Sequence, residues 1–177
     1  EFCKAEDLAL YLQPGNLESV HKVWPEDGEF LTYRLESENL EFTFHPSVFT
    51  QVNPTMNEKM IQQAMEWLAP KKDETVLDLF CGLGNFSLPL AKRAGEVTGI
   101  EGAEALVELA TKNAAANGVS NVQFFADNLE EGWESKPWAL KEYDTILLDP
   151  ARSGAKSICE NVQQFNANKI LYVSCHP

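Results

Sequence analysis

The chain has 177 residues, 44% of them hydrophobic, enough to bury one sizeable core with room for a small appendage. No apolar run approaches the ~20 residues of a membrane span, and the acidic N-terminus lacks the basic and apolar regions of a signal peptide, so a cytoplasmic protein with no membrane partner is expected. A formal net charge of -13, from 14 basic and 27 acidic residues, has the wrong sign for a self-sufficient nucleic-acid binder.

Residues 1–45 alternate in short runs. Strands are predicted at 8–12, 20–24, 30–35 and 40–44, with a turn at Pro14, Gly15 and Asn16 and a hairpin break at 36–39. This region reads as a small, partial antiparallel β subdomain. A helix is predicted over 55–68, placing Met56, Met60, Ile61, Ala64, Met65 and Leu68 on one apolar face. Asn53 is placed to cap it and Pro54 suits its first turn. From Glu74 onward, strands at 75–80, 97–101, 122–127, 143–149 and 169–175 alternate with helices at 86–93, 103–117 and 155–166. Such alternation predicts a parallel sheet covered on both faces, with ligands at the carboxyl ends of its strands. Phe80, Glu101, Asp127, Asn128, Asp149 and Cys175 all fall at those ends. The expected division is therefore 1–45 for the β subdomain and 46–177 for an α/β domain.

The stretch from Val76 to Ser87 runs from a short apolar strand through Gly82 and Gly84 into a helix. Glycines there remove the Cβ atoms that keep a ligand off the backbone, and the helix start offers free N–H donors. Glu101, at the end of the next strand, stands where a Rossmann-type fold places an acid on ribose hydroxyls. Together they point to a nucleoside-containing cofactor, although a Gly-x-Gly turn alone also serves as structural punctuation. Ser87 occupies the place of the third glycine in a dinucleotide fingerprint, which weakens a rival reading as a nicotinamide-dependent oxidoreductase. Asp78, within the strand and before the glycines, instead resembles the arrangement in class I S-adenosylmethionine (SAM) methyltransferases, an α/β, Rossmann-like class with a mostly parallel sheet. That class has seven strands, of which five are visible here, so the C-terminal strands are expected to be missing.

Two further motifs carry chemistry. Asp149, Pro150, Ala151 and Arg152 follow the fourth strand: Asp149 can accept from a cofactor amino group or from substrate, and Arg152 can meet an anionic or carbonyl oxygen. The alternative for this motif is a turn that caps the next helix. Ser174, Cys175, His176 and Pro177 follow the fifth strand, where a cysteine would face the methyl donor; the alternative is a small buried hydrophobe. The four cysteines, Cys3, Cys81, Cys159 and Cys175, show no Cys-x-x-Cys spacing and are expected to be reduced thiols, with neither a zinc site nor a disulfide framework.

Phe44, His45 and Pro46, then Phe49, Gln51, Val52 and Asn53, then Leu79 to Phe86, Asp149 to Arg152, and Ser174, Cys175 and Pro177 together resemble the RNA uracil-5-methyltransferases from about Phe44 to the C-terminus. Within that family, Gln51-Val52-Asn53 and the Asp-Pro-Ala-Arg form are more similar to members that methylate 23S ribosomal RNA than to those that methylate tRNA. The resemblance implies that Gln51, Phe80, Asn85, Glu101, Asn128 and Asp149 contact SAM, with Gly82 in the cofactor turn, and that Cys175 is the nucleophile. It implies a monomer acting on a uridine extruded from folded RNA. The family pattern has Asn where this chain has His176, and its general base is a glutamate beyond the nucleophile, where this chain has ended. Ribosomal members also carry an N-terminal oligonucleotide-binding domain and a cysteine-ligated iron–sulfur cluster, expected only in a missing N-terminal region. The alternatives are a tRNA uracil-5-methyltransferase or, in this truncated form, a SAM-binding module without turnover.

Overall fold

The structure, a computed structural model, describes residues 1–26, 28 and 30–174. In chain order the elements are α1 (Phe2–Ala5), β1 (Leu10–Leu12), β2 (His21–Trp24), β3 (Leu31–Leu35), β4 (Leu40–Phe44), α2 (Pro54–Leu68), β5 (Thr75–Leu79), α3 (Ser87–Ala91), β6 (Glu96–Glu101), α4 (Glu104–Ala116), β7 (Val122–Ala126), β8 (Thr145–Leu148), α5 (Lys156–Asn161) and β9 (Lys169–Tyr172). Five strands form one parallel sheet in the order β7-β6-β5-β8-β9, and β1–β2 and β3–β4 form two antiparallel hairpins.

Burial explains the sequence pattern of the sheet. Val76, Leu77 and Leu79 in β5 and Ile146, Leu147 and Leu148 in β8 are at most 1% exposed, because helices or loops cover both faces of the central strands. The edge strands β7 and β9 alternate instead. Successive side chains feed two separate cores. Val76 and Leu147 join Ile61, Leu68, Leu88 and Leu90, whereas Leu77, Ile146 and Leu148 join Trp133, Trp138 and Phe165.

The β3–β4 hairpin is docked into the first of these cores through Leu35, Leu40 and Phe42. The backbone edge of β4 is satisfied by two asparagines four residues apart, Asn113 on α4 and Asn117 at its C-cap. Asn113 Oδ1 accepts from Thr43 N and Asn117 Oδ1 from Glu41 N, each at 2.9 Å, and both amide nitrogens donate back to β4 carbonyls. At the hairpin tip, the buried Glu38 carboxylate takes both Arg93 guanidinium nitrogens at 2.7 and 2.9 Å.

Several boundaries differ from expectation for local reasons. The strand expected over 8–12 begins at Leu10, because the Leu8 amide donates to Cys3 O within α1, a helix the sequence did not suggest. The strand expected from 143 begins at Thr145: the Tyr143 hydroxyl donates to Trp138 O, and the Asp144 carboxylate accepts from Thr75 N. The helix expected over 155–166 splits into α5 and a 3-10 turn ended by Asn166 at φ +53°. In α2, Asn53 Oδ1 accepts from Met56 N and Pro54 opens the first turn, as expected; Met56 itself is 59% exposed and stands outside the core. Among the described residues no helix is long and apolar enough to cross a membrane.

Candidate active site

A cleft of about 750 Å³ opens at the carboxyl ends of β5, β6, β8 and β9. Its floor is the turn after β5. Phe80 leaves the strand at φ +64°, a left-handed conformation uncommon for an aromatic residue, and Gly82 and Gly84 follow at +56° and +94°. A Cβ at Gly82 would meet nothing within 4 Å, so a ligand can reach this backbone; at Gly84 it would stand 2.8 Å from Leu88 Cδ1, so the glycine there serves helix packing.

Glu101 binds this turn to the next one. Its Oε2 accepts from Gly82 N and its Oε1 from Ala103 N, both at 3.1 Å. Each oxygen keeps a lone pair, which suits a pair of donating hydroxyls. Across the cleft, burial pushes the half-buried Asp149 carboxyl up to about 6, and at neutral pH it is mainly an ionised acceptor. Beneath them Asp78 is fully buried and pushed up to about 7 by burial, with the charges of Asp149 and Glu101 adding to the shift and a bond from Ser87 Oγ opposing it. Burial likewise pushes the Cys81 thiol up, which leaves this cysteine unreactive.

Of the expected cofactor residues, Gln51, Phe80, Gly82, Asn85, Glu101 and Asp149 line this one cleft, joined by Arg152 and Ser174. Asn128 does not. It is exposed beyond the end of β7, where its Oδ1 accepts from Glu130 N, and the neighbouring Asp127 is tied to Lys136 at 2.6 Å and to the Trp138 indole at 2.7 Å. Cys175, His176 and Pro177 lie outside the described residues. Among the described residues no group of three or more His, Cys, Asp and Glu side chains could hold a metal ion. The donor set fits a nucleoside cofactor bearing hydroxyls and an amine: an approachable glycine backbone and two carboxylates stand at opposite sides of one cleft.

Sequence reading assigned no role at the site to three contributors, although it quoted Phe49 in a motif and noted Ser87 as a missing glycine. Phe49 is 80% exposed yet lines the cleft, an aromatic face held out to solvent. Ser87 is the hydroxyl partner of Asp78, nine residues upstream. Asn57 lies on the buried face of α2, one turn before Ile61, and is 3% exposed. A polar residue at that register was a legible signal, since a buried amide demands a partner.

The family model described as tRNA (uracil-5-)-methyltransferase matches residues 25–177. The chain is 48% identical over 181 residues to the 23S rRNA (uracil(1939)-C(5))-methyltransferase RlmD of Hahella chejuensis, covering 99% of this chain and 41% of that protein. To the enzyme of the same name from Alcanivorax borkumensis it is 46% identical over 177 residues, covering 99% and 40%. The chain thus spans about two fifths of the length of these relatives. Among solved structures, the Pyrococcus abyssi tRNA (uracil-54, C5)-methyltransferase in complex with S-adenosyl-L-homocysteine superposes with a TM-score of 0.76 at 26% identity, over 96% of this chain and 41% of that one. M. jannaschii TYW2 in complex with AdoMet shares the fold, with a TM-score of 0.64 at 17% identity, over 89% and 64%. The five-stranded parallel sheet, its helices and the small antiparallel hairpins have the class I SAM-dependent methyltransferase fold, and the chain belongs to the tRNA (uracil-5-)-methyltransferase family.

Proposed function

We propose that this chain carries the catalytic region of a cytoplasmic, SAM-dependent methyltransferase that modifies carbon 5 of a uridine in 23S ribosomal RNA. The observation that carries the reading is the convergence of Gln51, Phe80, Gly82, Asn85, Glu101 and Asp149 on one cleft. In this reading residues 46–177 form the catalytic domain, and residues 1–45 are a β subdomain docked against it. The ribosomal substrate is supported by relatives at 46% and 48% identity that are named for it. A tRNA substrate is the second reading, favoured by the family description and by the superposition on a tRNA enzyme.

The residues divide the work by chemistry. Glu101 has lone pairs for ribose hydroxyls, and Asp149 accepts from an amino group. Bound in the cleft, S-adenosylmethionine would supply an electrophilic methyl carbon. Phe49 offers an exposed ring on which an extruded uracil can stack. Carbon 5 of uracil is a poor nucleophile, and Cys175, the residue after cleft-lining Ser174, answers that need. Its thiolate adds to carbon 6, forming a carbon–sulfur bond and moving the double-bond electrons into an enolate, so that carbon 5 would take the methyl group as the sulfur–methyl bond breaks and S-adenosylhomocysteine leaves. When a base removes the carbon 5 proton, the double bond re-forms and the thiolate is expelled.

The test is covalent trapping on the intact polypeptide. RNA carrying 5-fluorouridine has fluorine where the departing proton should be, so the adduct cannot be released. A SAM-dependent complex with a 23S fragment, located on Cys175 by mass spectrometry and lost in Cys175→Ala, is the expected result. Trapping of tRNA in preference to the 23S fragment would move the assignment to the second reading, and no adduct with either would overturn the mechanism.

A further inference from the structure

Asn85 has most of its side-chain hydrogen-bonding capacity committed to the protein. Its Oδ1 accepts from the Tyr33 hydroxyl at 2.9 Å and from Asn57 Nδ2 at 3.1 Å, and its Nδ2 donates to Asn57 Oδ1 at 2.8 Å. The two asparagines form a reciprocal amide pair, and Tyr33 fills the second lone pair of the Asn85 oxygen. A single Nδ2 hydrogen remains for the cleft that Asn85 lines.

These partners come from three separate parts of the chain. Tyr33 belongs to β3 and lies 52 residues from Asn85; its ring is stacked on Phe42 at 5.0 Å and 7°, and tilted against Phe44 at 5.9 Å. Asn57 lies 28 residues from Asn85 in the first turns of α2, the helix entered directly from the cleft-lining Phe49 to Gln51 segment. Asn85 itself belongs to the turn that forms the cleft floor. Burial pushes the Tyr33 hydroxyl up from its ordinary value, so it stays protonated and able to donate. With Asn57 buried and Tyr33 and Asn85 half-buried, this network favours one arrangement of its members, because a shift would leave the buried Asn57 amide unsatisfied.

We propose, on the reading of the cleft as the SAM site, that Tyr33 and Asn57 are positioning residues: through Asn85 they hold the glycine turn, the β3–β4 hairpin and the Phe49 to Gln51 segment in one fixed register around the cofactor. Asn57 is not among the residues lining the cleft; Tyr33 does line it, and its bond to Asn85 is a role separate from any contact it makes there. The hairpin is thereby a working part of the cofactor site, and the substrate-facing segment before α2 is set by the same amide that borders the cofactor turn.

A double-mutant cycle on the intact polypeptide tests this, with S-adenosylhomocysteine affinity read by calorimetry. Tyr33→Phe keeps the stacked ring and removes only the hydroxyl; it should weaken binding about threefold to tenfold, the worth of one such bond. The KM for SAM should rise by the same factor, with kcat changing less. In an Asn85→Ala background the same substitution should change nothing further, because the hydroxyl no longer has an amide to hold. Asn57→Ala should act in the same direction; should it fail to fold, Tyr33→Phe carries the test. Wild-type affinity in Tyr33→Phe, or an equal loss in both backgrounds, overturns the proposal while leaving the cofactor site standing. Absence of binding by the wild type overturns the cofactor reading itself.

Discussion

Asp78 sits in β5 with no solvent exposure; one carboxylate oxygen is bonded to Ser87 Oγ, and the other has no partner among the described residues. Burial of a charge with one bond costs more than that bond returns, so its pKa is pushed up from 3.8 to about 7. The folded state therefore holds a proton that the unfolded state releases across that interval. Stability from this group is full below the unfolded value and is lost as pH rises through about 7, and Asp149, pushed up to about 6, acts with the same sign. Melting temperature is thus expected to fall between about pH 4 and about pH 7, and Asp78→Asn, which removes the ionisation but keeps an acceptor for Ser87, should flatten that fall. Thermal melts across the range decide it; an equally steep fall in the variant would show that this carboxyl does not titrate there. In the sequence, Ser87 was legible only as an absent glycine. Its bond to Asp78 depends on the turn closing back over the strand, which no local pattern encodes.

At the level of elements, the parallel sheet was legible because central strands covered on both faces must be apolar throughout, and β5 and β8 carry that mark in sequence. The end of β6 was legible through Glu101, an acid following an apolar run. The docking of the β3–β4 hairpin was not. It is made by Asn113 and Asn117, which read as ordinary polar residues of α4, reaching backbone atoms some 70 residues away. The 129–142 segment was equally silent. It has no regular element, and it is held by Trp133, stacked on Trp138 at 5.9 Å and on Phe165, in the 3-10 turn after α5, at 5.8 Å. Asn113→Ala removes both bonds to Thr43 and a third to Leu83 O, leaving a strand edge unsatisfied. It should destabilise the fold by about 1–3 kcal/mol. Hydrogen exchange at the Thr43 amide should accelerate well beyond that of the β5 amides; uniform acceleration across the chain would instead mean that the hairpin and the sheet unfold as one unit.

For the molecule as a whole, a formal charge of -13 has to be reconciled with the polyanionic RNA substrate proposed above. Many of the cations are already committed. Arg93 is held on Glu38, Lys136 on Asp127, Lys169 on Glu74 and Lys141 on Glu96, and these pairs spread over the surface without forming a basic stripe. At the cleft, Arg152 faces a site that also contains Asp149 and Glu101. A protein that neutralises several phosphates releases counterions and loses affinity steeply as salt rises; one that neutralises almost none, and repels the rest, has little to lose. The isolated chain is therefore expected to bind an RNA hairpin more weakly than about 0.1 mM at physiological salt, with a nearly flat salt dependence. Fluorescence anisotropy with a labelled hairpin over a salt series measures both. A steep loss of affinity with salt would reveal a phosphate-tracking surface on this chain. A flat response would mean that this chain tracks few phosphates, so that in the proposed function it selects its substrate through the cleft rather than along the RNA backbone.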